Sequence, residues 1–423
     1  MHIPAIILGK AIAKITRLLK IGGGSAAPGL YALKVDPNLV SKLSKKIPKN
    51  IIITGTNGKT TTSRMIAHFA KAGGLKVIRN HTGSNLERGI ASALISNYTL
   101  YPKPYTLDLG IWELDEAAFN NVAPKLNPDI VVFLNIFRDQ LDRYGEVDSV
   151  VKKWAETLKK LDPKTIVLVN GDDANTAKLG SFKFGVKNQK IKGEIPGKKE
   201  QLNCWIKNVK LNGLSGSSFD VVVHNKSYPV KLPLPGLYHI YDFLAAFYAG
   251  HELGFDTNKM ISSLKTFTST FGRVEKLPFG YIFLIKNPEG ATQVFKTIAP
   301  TIKEQDRILL ALNDNLADGT DVSWIWDGDF EKLLTPSLRP RTRSGGSNLF
   351  VSGSRAQDMA LRLKYAGFEP KQIIVDPSLE NALRQARKGL KGTLYILPTY
   401  TAMLDLQRIL AKIGLKKEYW NEK

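Results

Sequence analysis

Cysteine is nearly missing from this chain: Cys204 is the single one among 423 residues. An internal disulfide is impossible, and a structural zinc site built from several thiolates is excluded. A reducing, cytoplasmic setting is the simplest reading. Long apolar runs are missing as well. No stretch approaches the roughly 18 consecutive apolar residues that cross a bilayer, and no secretory signal is evident. Acidic residues are few, 38 Asp and Glu against 60 Lys and Arg, which leaves a formal net charge of +22. Such an excess suits nucleic acid, an anionic membrane, strongly acidic substrates or simply a solvated basic surface. No aromatic-interleaved basic patch, RNP-like motif or paired Cys/His finger accompanies it, so nucleic acid is not an expected partner.

What is present is an ordinary globular composition, 43% hydrophobic and 23% charged, at a length suited to two or three domains. Residues 3–20 have the pattern of an amphipathic helix, with Ile6, Ile7, Ala11, Ile15 and Leu18 against Lys10, Lys14, Arg17 and Lys20. It either lies on an anionic membrane or packs on its own domain. From Lys49 onward, apolar runs (51–54, 109–114, 129–135, 165–170) alternate with helical segments such as 60–72 and 146–161. Runs apolar on both faces suit strands of a parallel sheet covered by helices, a doubly wound α/β domain. Residues 181–235 are richer in Lys, Gly, Asn and Ser and read as a small β insertion. A helix follows at about 240–253, and Phe271-Gly272-Arg273 marks a boundary. The α/β rhythm then returns, with runs at 281–287, 307–313, 348–353, 372–376 and 394–398. This second part is Rossmann-like but lacks G-x-G-x-x-G, so no dinucleotide site is inferred.

The chemical signal lies at Thr54-Gly55-Thr56-Asn57-Gly58-Lys59-Thr60-Thr61-Thr62, between strand 51–53 and the next helix. Glycines let backbone N–H groups wrap a phosphate, and the helix N-terminus favours its charge. Lys59 can reach terminal phosphates, and the Thr60 hydroxyl can ligate magnesium. Glu113 ends the run 109–114, ahead of Asp115 and Glu116. It is placed either to bind magnesium or to belong to an acidic helix start, a role that suits Asp115 and Glu116 better. The loop from His81 to Asn85 follows strand 75–79 in the same way and offers Asn85 to metal or phosphate.

These residues, with FLNIFRDQLDRYGE (133–146) and LVNGDDA (168–174), resemble the central domain of Mur ligases and folylpolyglutamate synthases. KNPEGATQV (286–294), LNDNLADGTDVSWIWDGDFEKL (312–333) and SGSRAQDMALRLKYAG (352–367) closely resemble the MurT branch, ligase-like subunits of lipid II isoglutaminyl synthases. The resemblance implies an N-terminal helix and lead-in (1–45), a central ATP-binding domain (46–270) and a MurT-type C-terminal domain (271–423). It implies ATP-dependent amidation of the D-glutamate α-carboxylate of lipid II through an acyl phosphate. Ammonia would come from a separate GatD-like glutaminase, since Cys204 sits in no nucleophile turn. ATP and Mg²⁺ would be held by Gly55, Thr56, Asn57, Gly58, Lys59, Thr60, Thr61, Asn85 and Glu113. Localisation would be cytoplasmic, with a peripheral position at the inner membrane face open to it, where a basic surface would attract lipid II.

By the same resemblance, Asp321 would complete the partner's Cys–His pair as a triad acid; the local alternative is that Asp318 and Asp321 cap turns. Gly236-Leu237-Tyr238-His239-Ile240-Tyr241-Asp242 stands where Mur ligases show a segment rich in asparagine, so Asp242 and His239 would lie near base and ribose. Arg273 either touches nucleotide or acyl phosphate or forms a hinge ion pair. The four-cysteine ribbon of several relatives is reduced here to Cys204, so no structural zinc is expected. Gln140 replaces the histidine of a D-H-L-D motif, which weakens the alternative of an autonomous amino-acid-adding ligase. A nucleotide-binding scaffold without turnover would leave Glu113 and the phosphate loop without a purpose.

Overall fold

A computed structural model describes residues 2–18, 26–80, 84–98, 106–137, 147–187, 201–268, 272–338 and 348–415. The chain divides into two compact units, one of residues 1–210, 218–232 and 238–267, the other of 211–217, 233–237 and 268–423.

The first unit opens with three helices, α1 (His2–Leu18), α2 (Ala27–Val35) and α3 (Leu39–Ser44), followed by β1 (Lys49–Thr54) and α4 (Lys59–Ala72). Then come β2 (Val77–Arg79), α5 (Glu87–Asn97), β3 (Leu109–Glu113), α6 (Glu116–Leu126), β4 (Ile130–Phe133), α7 (Val147–Leu158) and β5 (Ile166–Asn170). The stretch expected as a β insertion supplies β6 (Phe182–Val186), β7 (Cys204–Leu211), β8 (Ser217–Val223) and β9 (Lys226–Leu232). These continue the same sheet along one edge, in the order β2-β3-β1-β4-β5-β6-β7-β8-β9. The helices α8 (Leu237–Glu252) and α9 (Thr257–Ser263) follow.

The central strand β1 pairs in parallel with β3 and with β4. The residues of β3 and β4 are buried on both faces, as strands between helix layers must be. A parallel arrangement sends the C-terminal ends of β1, β3 and β4 to one edge of the sheet, where open α/β sheets gather ligands. The N-terminal helix packs on its own unit, with Ala5 and Ile6 buried in the core shared with α2, α3 and α5. Ile3, Ile7, Ile15 and Leu18 remain exposed on it.

The second unit begins with the antiparallel pair β10 (Arg273–Leu277) and β11 (Gly280–Phe283), then α10 (Pro288–Ile298) and β12 (Arg307–Ala311). It continues through α11 (Trp324–Asp327), β13 (Leu349–Ser352), α12 (Ala356–Tyr365), β14 (Ile373–Val375), α13 (Leu379–Arg387), β15 (Leu394–Pro398) and α14 (Tyr400–Lys412). Its sheet runs β10-β11-β15-β12-β13-β14, parallel except at the first pair. Strand alternation splits its apolar residues into two cores. Ile308 and Leu310 enter one with Val351 and Leu397, and Leu309 and Ala311 enter the other with Phe350 and Ile396.

Candidate active site

The loop after β1 takes its shape from two glycines and one asparagine. Gly55 and Gly58 have φ of 135° and 90°, backbone that side chains disfavour. Asn135, just beyond β4, braces the turn between them. Its carbonyl accepts from Thr56 N at 3.0 Å, its Oδ1 accepts from Asn57 N at 2.9 Å, and its Nδ2 donates to Asn57 O at 3.1 Å. Gly58 caps α4, leaving the helix start open to an anion. Lys59 is buried, its ammonium donating to the Gly55 carbonyl and lying 3.4 Å from Glu116 Oε2. In this conformation the lysine closes the loop on itself and is neutralised from α6.

Glu113 ends β3 beside the first turn of α4. Its Oε2 accepts from Thr60 Oγ1 at 2.8 Å and its Oε1 from Ser63 Oγ at 2.6 Å. Arg79 Nη1 donates to the same Ser63 oxygen at 3.2 Å. Burial pulls the Arg79 guanidinium down from its ordinary value, while the Glu113 charge opposes that. Asn80 fixes the end of β3: it donates to Glu113 O and accepts from Glu113 N, both at 2.8 Å. The carboxylate is therefore buried, charge-balanced and facing the hydroxyls of the phosphate-loop helix. Asp115 takes the capping role, its side chain accepting from Ala117 N at the start of α6. The backbone carbonyl of Asn85 accepts from Asp115 N at 3.0 Å, while His81 to Gly83 lie outside the described residues.

Asp242 and His239 sit in the first turns of α8. His239 Nδ1 lies 3.1 Å from Asp242 Oδ2, and its Nε2 is buried with no hydrogen-bond partner among the described residues. Asp242 comes up against the phosphate loop: a Cβ built on Gly58 would lie 2.2 Å from its Oδ1. Nothing in the sequence pointed to Asn80, Ser63 or Arg79 as members of this cluster, and Glu116, in the first turn of α6 as expected, was read only as part of an acidic helix start. Asn135 could have been suspected, since it follows the apolar run of β4 at the sheet's ligand edge.

Cys204 is fully buried at the start of β7, and burial together with the charge of Glu252 pushes its thiol well above the ordinary range. Such a thiol is inert as a nucleophile. Gln140, with Asp139 to Asp142, lies outside the described residues.

The second unit holds Arg273 at the start of β10 and Asp321 on the exposed loop before α11. Asp321 Oδ1 accepts from Ser323 N at 2.8 Å, and hydrogen bonds from the Ser323 side chain and backbone hold its carboxyl below the usual range. Asp318 is buried, which pushes it upward, and accepts from Thr401 N at 2.8 Å and from the Thr401 hydroxyl. Asn313 and Asn315 donate to the same hydroxyl at 3.0 and 2.8 Å. The SWIWD turn is clasped by Arg362, which donates to Ile325 O and Gly328 O and in bidentate fashion to Glu331, each at 2.9 Å. Trp326 is left exposed beside Tyr365.

A parallel sheet whose central strand runs into a braced phosphate loop, followed by a Rossmann-like unit, is an architecture that the Mur ligase class shares. The profile of the Mur ligase middle domain matches residues 53–250. The fold is shared with MurF from Acinetobacter baumannii (TM-score 0.69, 16% identity, covering 92% of this chain and 81% of that one). It is shared also with Mycobacterium tuberculosis folylpolyglutamate synthase, solved with ADP and AMPPCP (TM-score 0.63, 15% identity, 99% of both chains). The MurT ligase C-terminal profile matches residues 284–403. Lipid II isoglutaminyl synthase (glutamine-hydrolyzing) subunit MurT of Staphylococcus aureus is 31% identical over 95% of this chain and 96% of its own length. Its counterpart in Streptococcus pneumoniae is 29% identical over 96% of each. The chain belongs to the MurT family of Mur ligases, and it is an ATP-dependent carbon–nitrogen ligase of that class.

Proposed function

We propose that this chain is the synthetase subunit that amidates the α-carboxylate of D-glutamate in the lipid II stem peptide, giving D-isoglutamine, with ammonia supplied by a separate GatD-like glutaminase. One observation carries the split: the chain that holds the phosphate-type loop has a single thiol, Cys204, and that thiol is buried in a strand. Glutamine hydrolysis by a cysteine nucleophile therefore has no place in this polypeptide.

The residues support the following sequence of events. Backbone N–H groups of the loop at Gly55 to Lys59 hold the phosphates of ATP, and Lys59 leaves Glu116 to meet the terminal one. Thr60 and Glu113 fit a magnesium ion, being a hydroxyl and a carboxylate already in contact, which is the hard-oxygen set that ion prefers. When bound, magnesium would neutralise charge on the phosphates. A substrate carboxylate oxygen takes the γ-phosphoryl group, giving an acyl phosphate and ADP. The ammonia nitrogen then bonds to the acyl carbon, the carbon–oxygen bond to phosphate breaks, and the amide and inorganic phosphate leave. Asp321 serves the partner's histidine rather than this site, as the exposed carboxylate on a turn that holds it ionised. The exposed apolar residues of α1 and the +22 charge suit attachment at an anionic membrane surface, where lipid II lies.

The test is amidation of lipid II by this chain with ATP, supplied with ammonium or with glutamine, with and without a co-expressed glutaminase. Product from ammonium alone, and from glutamine only with the partner, is the expected result. ATP turnover that instead joins an amino acid to a precursor would replace the proposal with an autonomous ligase.

A further inference from the structure

The strands β8 and β9 are neighbours in the sheet, joined by the turn His224-Asn225, whose φ angles are 46° and 61°. Two successive residues of positive φ make the tight turn that suits a β-hairpin. The helix α8 ends at Glu252, and its last turn meets this hairpin tip. His224 and His251 stand edge to face with centroids 4.9 Å apart, and His251 also stacks on Phe247. His251 Nε2 lies 3.4 Å from His224 Nδ1. With a carboxylate oxygen of Glu252, these ligand atoms all fall within 4.8 Å of one another.

Two imidazole nitrogens bound to one tetrahedral zinc at about 2.0–2.1 Å are necessarily about 3.3–3.4 Å apart. The histidine pair already has that spacing. The Glu252 oxygen, no more than 4.8 Å from either nitrogen, supplies the third donor. We propose that His224, His251 and Glu252 form a binding site for a divalent transition-metal ion of the zinc type, with a fourth position left to water. Two nitrogens and one oxygen select zinc, nickel or copper over magnesium, which takes oxygen ligands. His224 is exposed and the other two are half-buried, so an ion has a path in. The scarcity of cysteine excludes only a thiolate ribbon; an imidazole–carboxylate site uses a different donor set. The ion would clip the β8–β9 turn to the end of α8. That helix is about 24 Å long at 1.5 Å per residue, and its first turns carry His239 and Asp242 beside the phosphate loop. The clip would anchor the far end of the element that braces nucleotide binding.

The experiment is a Co²⁺ titration of the EDTA-stripped full-length chain in excess Mg²⁺, which occupies the oxygen-ligand site at Glu113. We expect one equivalent of Co²⁺ to give the intense visible band of a low-coordinate site, displaced by Zn²⁺. His251→Gln and His224→Asn should each weaken that binding at least about 100-fold, the order expected when a metal site loses an essential group. Asparagine tolerates the positive φ at position 224, so that variant keeps the turn. Zinc should raise the melting temperature of the parent chain but of neither variant, with equal far-ultraviolet circular dichroism establishing that all three are folded. Absence of a saturable band in the parent, or a band unchanged in both variants, overturns the site.

Discussion

Asp242 stands so close to Gly58 that any side chain at the glycine would collide with its carboxylate, a Cβ falling 2.2 Å from Oδ1. The phosphate loop is thus shaped from above by α8 as well as from β1 and α4. Gly58→Ala meets both that collision and a left-handed backbone at φ 90°, which costs about 1–2 kcal/mol in itself. ATP affinity measured by calorimetry should fall at least about tenfold.

Glu113 accepts from Thr60 and Ser63 at once. Glu113→Gln keeps the shape but removes the charge, so ATP turnover should fall by about 100-fold or more, with partial recovery at high Mg²⁺. Thermal stability unchanged within a few degrees would separate this from a folding defect. Full turnover in the variant would remove Glu113 from the metal site.

Asp321 is exposed and is held by hydrogen bonds from Ser323 in its own turn. Asp321→Asn should abolish glutamine-dependent amidation in the reconstituted pair while ammonium-dependent amidation continues at the parent rate. Equal loss with both nitrogen sources would assign the residue to the fold of its loop.

The clasp around Arg362 predicts both a stability loss and a pH effect. Arg362→Met strands two buried carbonyls and one carboxylate partner, for a loss of about 2–4 kcal/mol in denaturant unfolding. Arg362 holds the Glu331 carboxyl below its ordinary value. The unfolded chain therefore takes up the proton more readily. The stabilisation is complete above the unfolded value of about 4.3 and is lost as pH falls through the lower folded value. Compared with Glu331→Gln, the parent should lose its advantage only on that acid limb.

Ile3, Ile7, Ile15 and Leu18 lie exposed on a helix whose other face is packed. Ile3→Asp together with Ile7→Asp should reduce sedimentation with phosphatidylglycerol vesicles several-fold and leave phosphatidylcholine binding unchanged. Equal binding by parent and variant would free α1 of any membrane role.

Much of this architecture could be read from period and punctuation alone. The apolar runs at 51–54 and 109–114 became β1 and β3, and the helical segment expected at 60–72 became α4, which ends at Ala72. Glu113 was legible because a carboxylate at a strand end stands out against an apolar run. Asn80, Ser63 and Glu116 were not, since their importance comes from register between β2, β3 and α4, which no local pattern carries. The stretch 181–235 looked separate because its composition shifts, yet backbone pairing with β5 depends on hydrogen-bonding groups that composition does not report. Asp318 looked like a turn cap, and its actual partner, Thr401, is 83 residues away.

That last distance bears on inhibitor design. The segment from Leu312 to Leu333 owes its shape to groups it does not contain: Thr401 under Asp318, and Arg362 threaded through the SWIWD turn. A synthetic peptide copying it would carry the same side chains with none of that scaffolding and would spend its binding energy on ordering itself. A useful decoy would have to be the whole second sheet with its helices.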